Sequence, residues 1–269
     1  MTPMRCGGTA AASPLLIAPD EPPPAELLNL AGKARFLLVA DHAGARVPRR
    51  LGDMGLAAQD WGRHIALDLG IAELARALSR RLDATAVIQR YSRLVVDCNR
   101  APERADAVPE VSDGSAIPGN RALTPEQRAA RIAEVHAPYH AVIAHELARR
   151  DARGEATIVV ALHSFTPLLA TDAGRPLRPW HAGVLHGGGD EGFARAVLKA
   201  LRARVAAPVG DNQPYAMEGT DYTIPHHCFA AGRGYAELEI RQDLLSDRAQ
   251  LDRWCAILAQ ALVEAAAGL

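Results

Sequence analysis

Phe36-Leu37-Leu38-Val39-Ala40-Asp41-His42-Ala43-Gly44 is the stretch that decides how the rest of the chain is read. Its first five residues form a continuous apolar run, which suits a strand covered on both faces. It ends abruptly on an acid, an imidazole and a glycine. The same kind of run recurs at Ala86-Val87-Ile88, Leu94-Val95-Val96, 157–162, 182–185 and 235–240, each read as a strand. Between these runs, apolar residues at helical spacing predict helices over 61–82, from Thr124 to about Arg150, over 191–204, and from Asp247 onward. Thr124-Pro125-Glu126-Gln127 supplies an N-cap, a proline in the first turn and a glutamine at the third position. Alternating strand and helix predict an α/β fold of three layers, a mostly parallel or mixed sheet flanked by helices.

Residues 1–32 read as a Pro-rich arm, because the run Pro22-Pro23-Pro24 cannot donate ladder hydrogen bonds, and residues 33–269 as a single α/β domain. From Pro102 to Asn120 the periodicity lapses into Pro, Gly, Asp and Ser, a surface excursion long enough to suggest function or mobility. The 30 basic and 31 acidic residues give a net charge of -1, so nothing electrostatic draws the chain to nucleic acid or an anionic membrane. A small-molecule substrate fits better. Cys6, Cys98, Cys228 and Cys255 are scattered without a CxxC pair, which favours a reducing, cytoplasmic setting. No stretch approaches the roughly eighteen uninterrupted apolar residues of a membrane span.

Ligands of open α/β sheets bind beyond the carboxyl ends of the strands. Here those ends carry Asp41-His42, Asp97-Cys98-Asn99-Arg100, His163-Ser164, and Glu237 and Glu239 followed by Arg241 and Asp243. Two imidazoles, a guanidinium and a carboxylate are the parts of a hydrolytic metal site with an anion pocket. Singly, each has a plainer reading: a hydrogen-bonded structural histidine, a salt-bridged arginine in a turn, a glutamate paired with Arg241. Their order along the chain is what gives them weight.

Val96-Asp97-Cys98-Asn99-Arg100, Ala161-Leu162-His163-Ser164-Phe165 and Leu238-Glu239-Ile240-Arg241 together resemble the zinc carboxypeptidase superfamily. Further stretches are similar to the hallmarks of the N-formylglutamate amidohydrolase family: Asp41-His42-Ala43-Gly44 with Pro48, the spaced set His64, Ala66, Asp68 and Gly70, and Tyr91 to Arg100. Asp211-Asn212 with Pro214-Tyr215, Tyr222-Thr223-Ile224 with His227, and Glu239-Ile240-Arg241 with Asp243-Leu244 belong to the same set. The resemblance runs from Phe36 to the C-terminus. It implies an amidohydrolase that removes formate from N-formyl-L-glutamate, or from a close N-acyl acidic amino acid, as in histidine degradation.

The resemblance also implies roles. His42 and His163 would hold a divalent metal, with zinc the expected ion, and Glu239 would be the base. Arg100 with Asn99 would clamp the α-carboxylate, for which a guanidinium offers two parallel bonds. Arg93 would stabilise the oxyanion or read the side-chain carboxylate, a job open to Arg241 as well, and His227 would contribute a donor. The carboxypeptidase second ligand is missing, because Ala45 stands third after His42. Asp68 is the candidate to replace it, with His64, one helical turn earlier, in competition. Two rivals stand: a related aminoacylase or carboxypeptidase, and a binding protein that kept the anion pocket without the metal.

Overall fold

The structure, a computed structural model, describes residues 15–268. In chain order the main elements are β1 (Ala25–Leu28), β2 (Phe36–Ala40), α1 (Ile71–Leu82), β3 (Thr85–Gln89) and the short hairpin of β4 (Val111–Ser112) and β5 (Ser115–Ala116). There follow α2 (Pro125–Arg131), α3 (Ala137–Asp151), β6 (Ile158–Phe165), β7 (Ala182–Leu185), α4 (Gly192–Arg202), β8 (Val209–Asp211), β9 (Tyr235–Arg241) and α5 (Arg248–Ala267). Seven of the strands form one sheet in the order β1-β3-β2-β6-β9-β7-β8. Pairing is parallel between β3, β2, β6 and β9 and between β7 and β8; β1 on β3 and β7 on β9 are antiparallel. The α/β class and the mostly parallel, helix-flanked sheet are therefore as the sequence predicts.

Two-residue alternation builds the layers. On one face Leu38, Val160, Leu162, Leu238 and Ile240 pack beneath α1, α4 and α5. On the other, Leu37, Val39, Val159, Ala161 and Tyr235 meet Tyr139, Ile143 and Leu147 of α3. Each such fully buried aliphatic side chain contributes roughly 1.5–3 kcal/mol. Followed along the strands, the α3 face turns polar at the carboxyl ends: Leu37 and Val39 lead to Asp41, Val159 and Ala161 to His163, Tyr235 to Glu237 and Glu239. One sheet face thus carries the smaller of the two sheet-packed clusters and then the chemistry.

Three expectations need correction. Leu94-Val95-Val96 is not a strand; it is a buried turn packed with Met54, Leu56, Ile117 and Val135 in a third apolar cluster. The helix expected from Trp61 begins only at Ile71, because Gly70 adopts the left-handed φ of 81° and the chain before it runs in turns. His64 and Asp68 therefore do not share a helical face. Ala25–Leu28, within the stretch read as an arm, pairs with β3 as an edge strand, where the preceding prolines need donate nothing to the ladder. Within the 102–120 excursion lie the β4–β5 hairpin and short 3₁₀ turns. Among the described residues no helix is long and apolar enough to cross a membrane. Cys6 lies outside the described residues, and Cys98, Cys228 and Cys255 are buried free thiols.

Candidate active site

β2 delivers Asp41 and His42 to the sheet's carboxyl edge, and Gly44 lets the chain turn there. A Cβ on Gly44 would stand 2.1 Å from the Arg90 carbonyl, so only glycine permits the loop to lie against the 90–92 segment. Close by, the Asp68 amide donates to the His42 carbonyl at 2.8 Å, which draws the turn before α1 over the end of β2. Asp68 also accepts from the Ser164 amide at 3.2 Å, next to His163 on β6. Three segments distant in sequence are tied together by one backbone bond and one amide–carboxylate bond before any ligand is considered.

The result is a buried cluster of His42, Asp68 and His163, each offering one ligand atom with all such atoms within 4.8 Å of one another. Nδ1 of His163 lies 3.0 Å and Nδ1 of His42 3.6 Å from the same carboxylate oxygen of Asp68. Behind each ring stands a second carboxylate. Nε2 of His42 is 2.6 Å from Asp97, and Nε2 of His163 is 3.4 Å from Asp41. A proton on Nε2 of His42 shared with Asp97 leaves the Nδ1 lone pair facing Asp68. This carboxylate–imidazole pairing is how metal-binding histidines are oriented and made more basic. Nδ1 of His42, Nε2 of His163 and one oxygen each of Asp41, Glu237 and Glu239 are buried without a hydrogen-bond partner. Orphaned buried acceptors in that number are costly unless a cation satisfies them. Two imidazoles and a carboxylate fit a bound metal ion, and Asp68 is placed where it could supply the carboxylate that the missing second ligand after His42 leaves open.

The charges follow from this crowding. Burial pushes the His42 and His163 imidazoles down, but the carboxylates around them outweigh it and hold both above the usual range, His163 by the larger margin. Burial alone would raise Asp41, yet the close approach and charge of His163 bring it to about 2. Burial raises Glu239 to about 8, with His163 as the main opposing influence, and lifts Glu237 further with help from Asp221. Glu239 pairs in register with His163 on the neighbouring strand, roughly 4.8 Å away across the sheet. Glu237, two residues earlier on the same face, brings an oxygen within 3.9 Å of His163.

These groups line a cleft of about 630 Å³ that also exposes His64, Arg93, Asn99, Arg100 and Tyr215. Arg93 donates to Asp97 at 2.6 and 3.1 Å and reaches Asp68 at 3.4 Å. Its charge-assisted pair with Asp97 holds the oxygen pair that orients His42. Asn99 accepts from the Tyr222 and Thr223 amides at 2.9 Å each and points its amide toward Asp221 and Glu237. Arg100 donates to the Asn99 carbonyl and faces Asp221 at 3.6 Å and Asp106 at 3.5 Å. His64 sits on the rim with Nε2 3.2 Å from Asp113 at the tip of the β4–β5 hairpin, outside the His42–Asp68–His163 cluster.

Two predicted site residues are not part of the cleft wall. Arg241 extends from the end of β9 to Asp243 and to the Arg178 carbonyl. His227 is buried on the turn Pro225–Phe229, 3.0 Å from His140 of α3. Sequence reasoning left Asp41, Asp97, Asp221 and Tyr215 without a role. The signal for the first two was present: each acid directly ends a run that reaches the histidines. A larger cavity, about 780 Å³, lies between the starts of α1 and α5 and holds none of the strand-end histidines or glutamates, so size does not locate the chemistry here.

The family model for N-formylglutamate amidohydrolase matches residues 34–246. No curated protein sequence matches the chain. A solved gene product of Agrobacterium tumefaciens superposes with a TM-score of 0.89 at 35% identity, over 94% of this chain and 98% of that one. An N-formylglutamate amidohydrolase from Ralstonia eutropha JMP134 shares the fold with a TM-score of 0.65 at 20% identity, over 91% of this chain and 97% of that one. With the match spanning every segment that builds the cleft, the chain belongs to the N-formylglutamate amidohydrolase family, hydrolases of linear amides.

Proposed function

We propose that the chain is a metal-dependent deformylase that converts N-formyl-L-glutamate, or a close N-acyl acidic amino acid, to formate and the free amino acid. The observation that carries the metal requirement is the buried His42–Asp68–His163 cluster, in which Nδ1 of His42 faces Asp68 without a hydrogen-bond partner. His42, His163 and Asp68 would hold the ion. A donor set of two imidazoles and one carboxylate favours zinc. When bound, a divalent ion there supplies Lewis acidity to the acyl oxygen and to the attacking water.

The remaining work belongs to the chain. Glu239 takes the proton of the attacking water and passes it to the departing amine, a relay suited to a carboxyl lifted toward neutrality. Its unpartnered oxygen faces no competing donor. Arg93, held by Asp97, presents its guanidinium where negative charge develops on the acyl oxygen. Arg100 with the Asn99 turn receives the α-carboxylate, exchanging its longer contacts to Asp221 and Asp106 for shorter ones to substrate.

The reading is tested with metal-stripped and zinc-loaded protein against N-formyl, N-acetyl and dipeptide forms of glutamate and aspartate. Hydrolysis of N-formylglutamate only after loading is expected. Equal turnover of the dipeptides would shift the assignment to a carboxypeptidase. No hydrolysis of any member, with ligand still bound, would leave a binding protein.

A further inference from the structure

The arginines bordering the cleft differ in one respect. Arg93 is matched by Asp97 and Asp68, Arg100 by Asp221 and Asp106, Arg63 by Asp60 and Asp113, and Arg241 by Asp243. Arg178 has only neutral partners among the described residues. Its guanidinium donates to the Tyr215 hydroxyl at 2.9 Å and to the Thr166 carbonyl at 3.3 Å. It also lies over the Tyr215 and Phe165 rings, 5.0 and 6.0 Å from their centroids. Tyr215, Phe165 and Thr166 all line the cleft. A partly buried guanidinium with no carboxylate keeps its full charge available to an incoming anion.

The position is built as well as charged. The Arg178 amide donates to the Pro167 carbonyl at 2.9 Å, and its carbonyl accepts from Arg241 at 3.0 Å. Arg241 thus fixes the backbone from which Arg178 reaches Tyr215 and Phe165 of the cleft wall. Because the Tyr215 oxygen accepts from Arg178, its own proton is free to be donated, and an oxygen receiving a cationic donor is a better donor itself. A phenol and a guanidinium side by side make a two-donor cradle for a carboxylate.

We propose that Tyr215 and Arg178 form the subsite that reads the side-chain carboxylate of the acyl amino acid, and that Arg241 positions it. This rests on the deformylase reading for its substrate, while the arrangement itself is read from the uncompensated charge. An acidic N-acyl amino acid brings two carboxylates, and with Arg100 assigned to one, the second meets the sole bordering arginine that no acid has neutralised.

The test compares N-formylglutamate with N-formylglutamine, which differ only in that side-chain charge, on the zinc-loaded wild type, Arg178→Met and Tyr215→Phe. In both variants the kcat/KM ratio of acidic to neutral substrate should fall, by about ten- to hundredfold for Arg178→Met and less for Tyr215→Phe, the size expected for charge-assisted hydrogen bonds. Arg178→Lys should recover part of the ratio, which a purely structural role would not. An unchanged ratio in folded variants overturns the assignment even if deformylation stands. If no N-formyl compound is turned over, the deformylase reading fails, and calorimetric binding of L-glutamate against L-glutamine takes over. A glutamate preference abolished in Arg178→Met then sustains the subsite, and the lack of any preference ends it.

Discussion

Two groups of imidazoles near the carboxyl end of the sheet behave in opposite ways. At the sheet edge His42 and His163 face four acids, Asp41, Asp68, Asp97 and Glu237, and are held above their usual range despite burial. Beneath the Asn99–Arg100 turn, the buried His136, His140 and His227 gather with the exposed His226 around Tyr222. No acid is bonded there, and burial pushes His140 down to about 3 and His227 to about 4. Imidazole is thus more readily held charged where carboxylates surround it, and is a neutral hydrogen-bond relay where they do not.

The second group has a visible task. Nε2 of His140 donates to the Cys98 carbonyl at 2.8 Å, so its Nδ1 accepts from Nε2 of His227. Nε2 of His136 donates to the Arg100 carbonyl at 3.0 Å. Two neutral histidines grip the carbonyls on either side of Asn99. The first group is the one to which the proposal assigns the ion, and the second holds still the turn beside it.

The largest effect that could break this contrast is at Glu239. Glu239→Gln should cut kcat on the order of 10²–10⁴-fold while zinc content, measured by mass spectrometry, stays near that of the wild type. Retained activity would remove Glu239 as the base. Lost zinc would mean that Glu239 belongs to the ion's own ligand set.

A smaller effect is expected one shell outward. Asp97 touches no proposed reacting atom, yet it anchors both His42 and Arg93. Asp97→Asn should weaken zinc affinity ten- to hundredfold in a chelator competition, the usual consequence of removing a carboxylate behind a ligating imidazole. Unchanged affinity would show that His42 is oriented by its backbone alone.

How much of this was legible in the sequence depends on where each residue sits. Asp41, His42, His163 and Glu239 end strands whose apolar runs are unambiguous, so their meeting at one edge followed from the fold class. Asp68 was named on a wrong premise. A shared helical face with His64 was expected, whereas a turn ahead of Gly70 and a bond to the His42 carbonyl bring it in. Leu94-Val95-Val96 has the composition of a strand because it is buried, and periodicity cannot separate a buried turn from a strand in three residues. Arg178 was invisible for a different reason: its distinction is the absence of an acid nearby, and absence of a neighbour leaves no local pattern.

The smallest effect sharpens the contrast through pH. His140 is harder to protonate in the folded chain than in the unfolded one, where a histidine titrates near 6.5. As pH falls below 6.5 the unfolded chain binds the extra proton first, so this group's stabilisation, complete above 6.5, is lost progressively down to about 3. For His42 and His163 in metal-stripped protein the sign reverses: their contribution is complete below 6.5 and is lost as pH rises through their raised values. Each group can tilt the curve by at most about 1.4 kcal/mol per pH unit. His140→Gln keeps a donor for the Cys98 carbonyl and removes the titration, so urea unfolding of stripped protein at pH 5 and pH 7 should show a shallower acid loss than the wild type. An identical slope would place the acid sensitivity elsewhere and dissolve the distinction between the two sets of imidazoles.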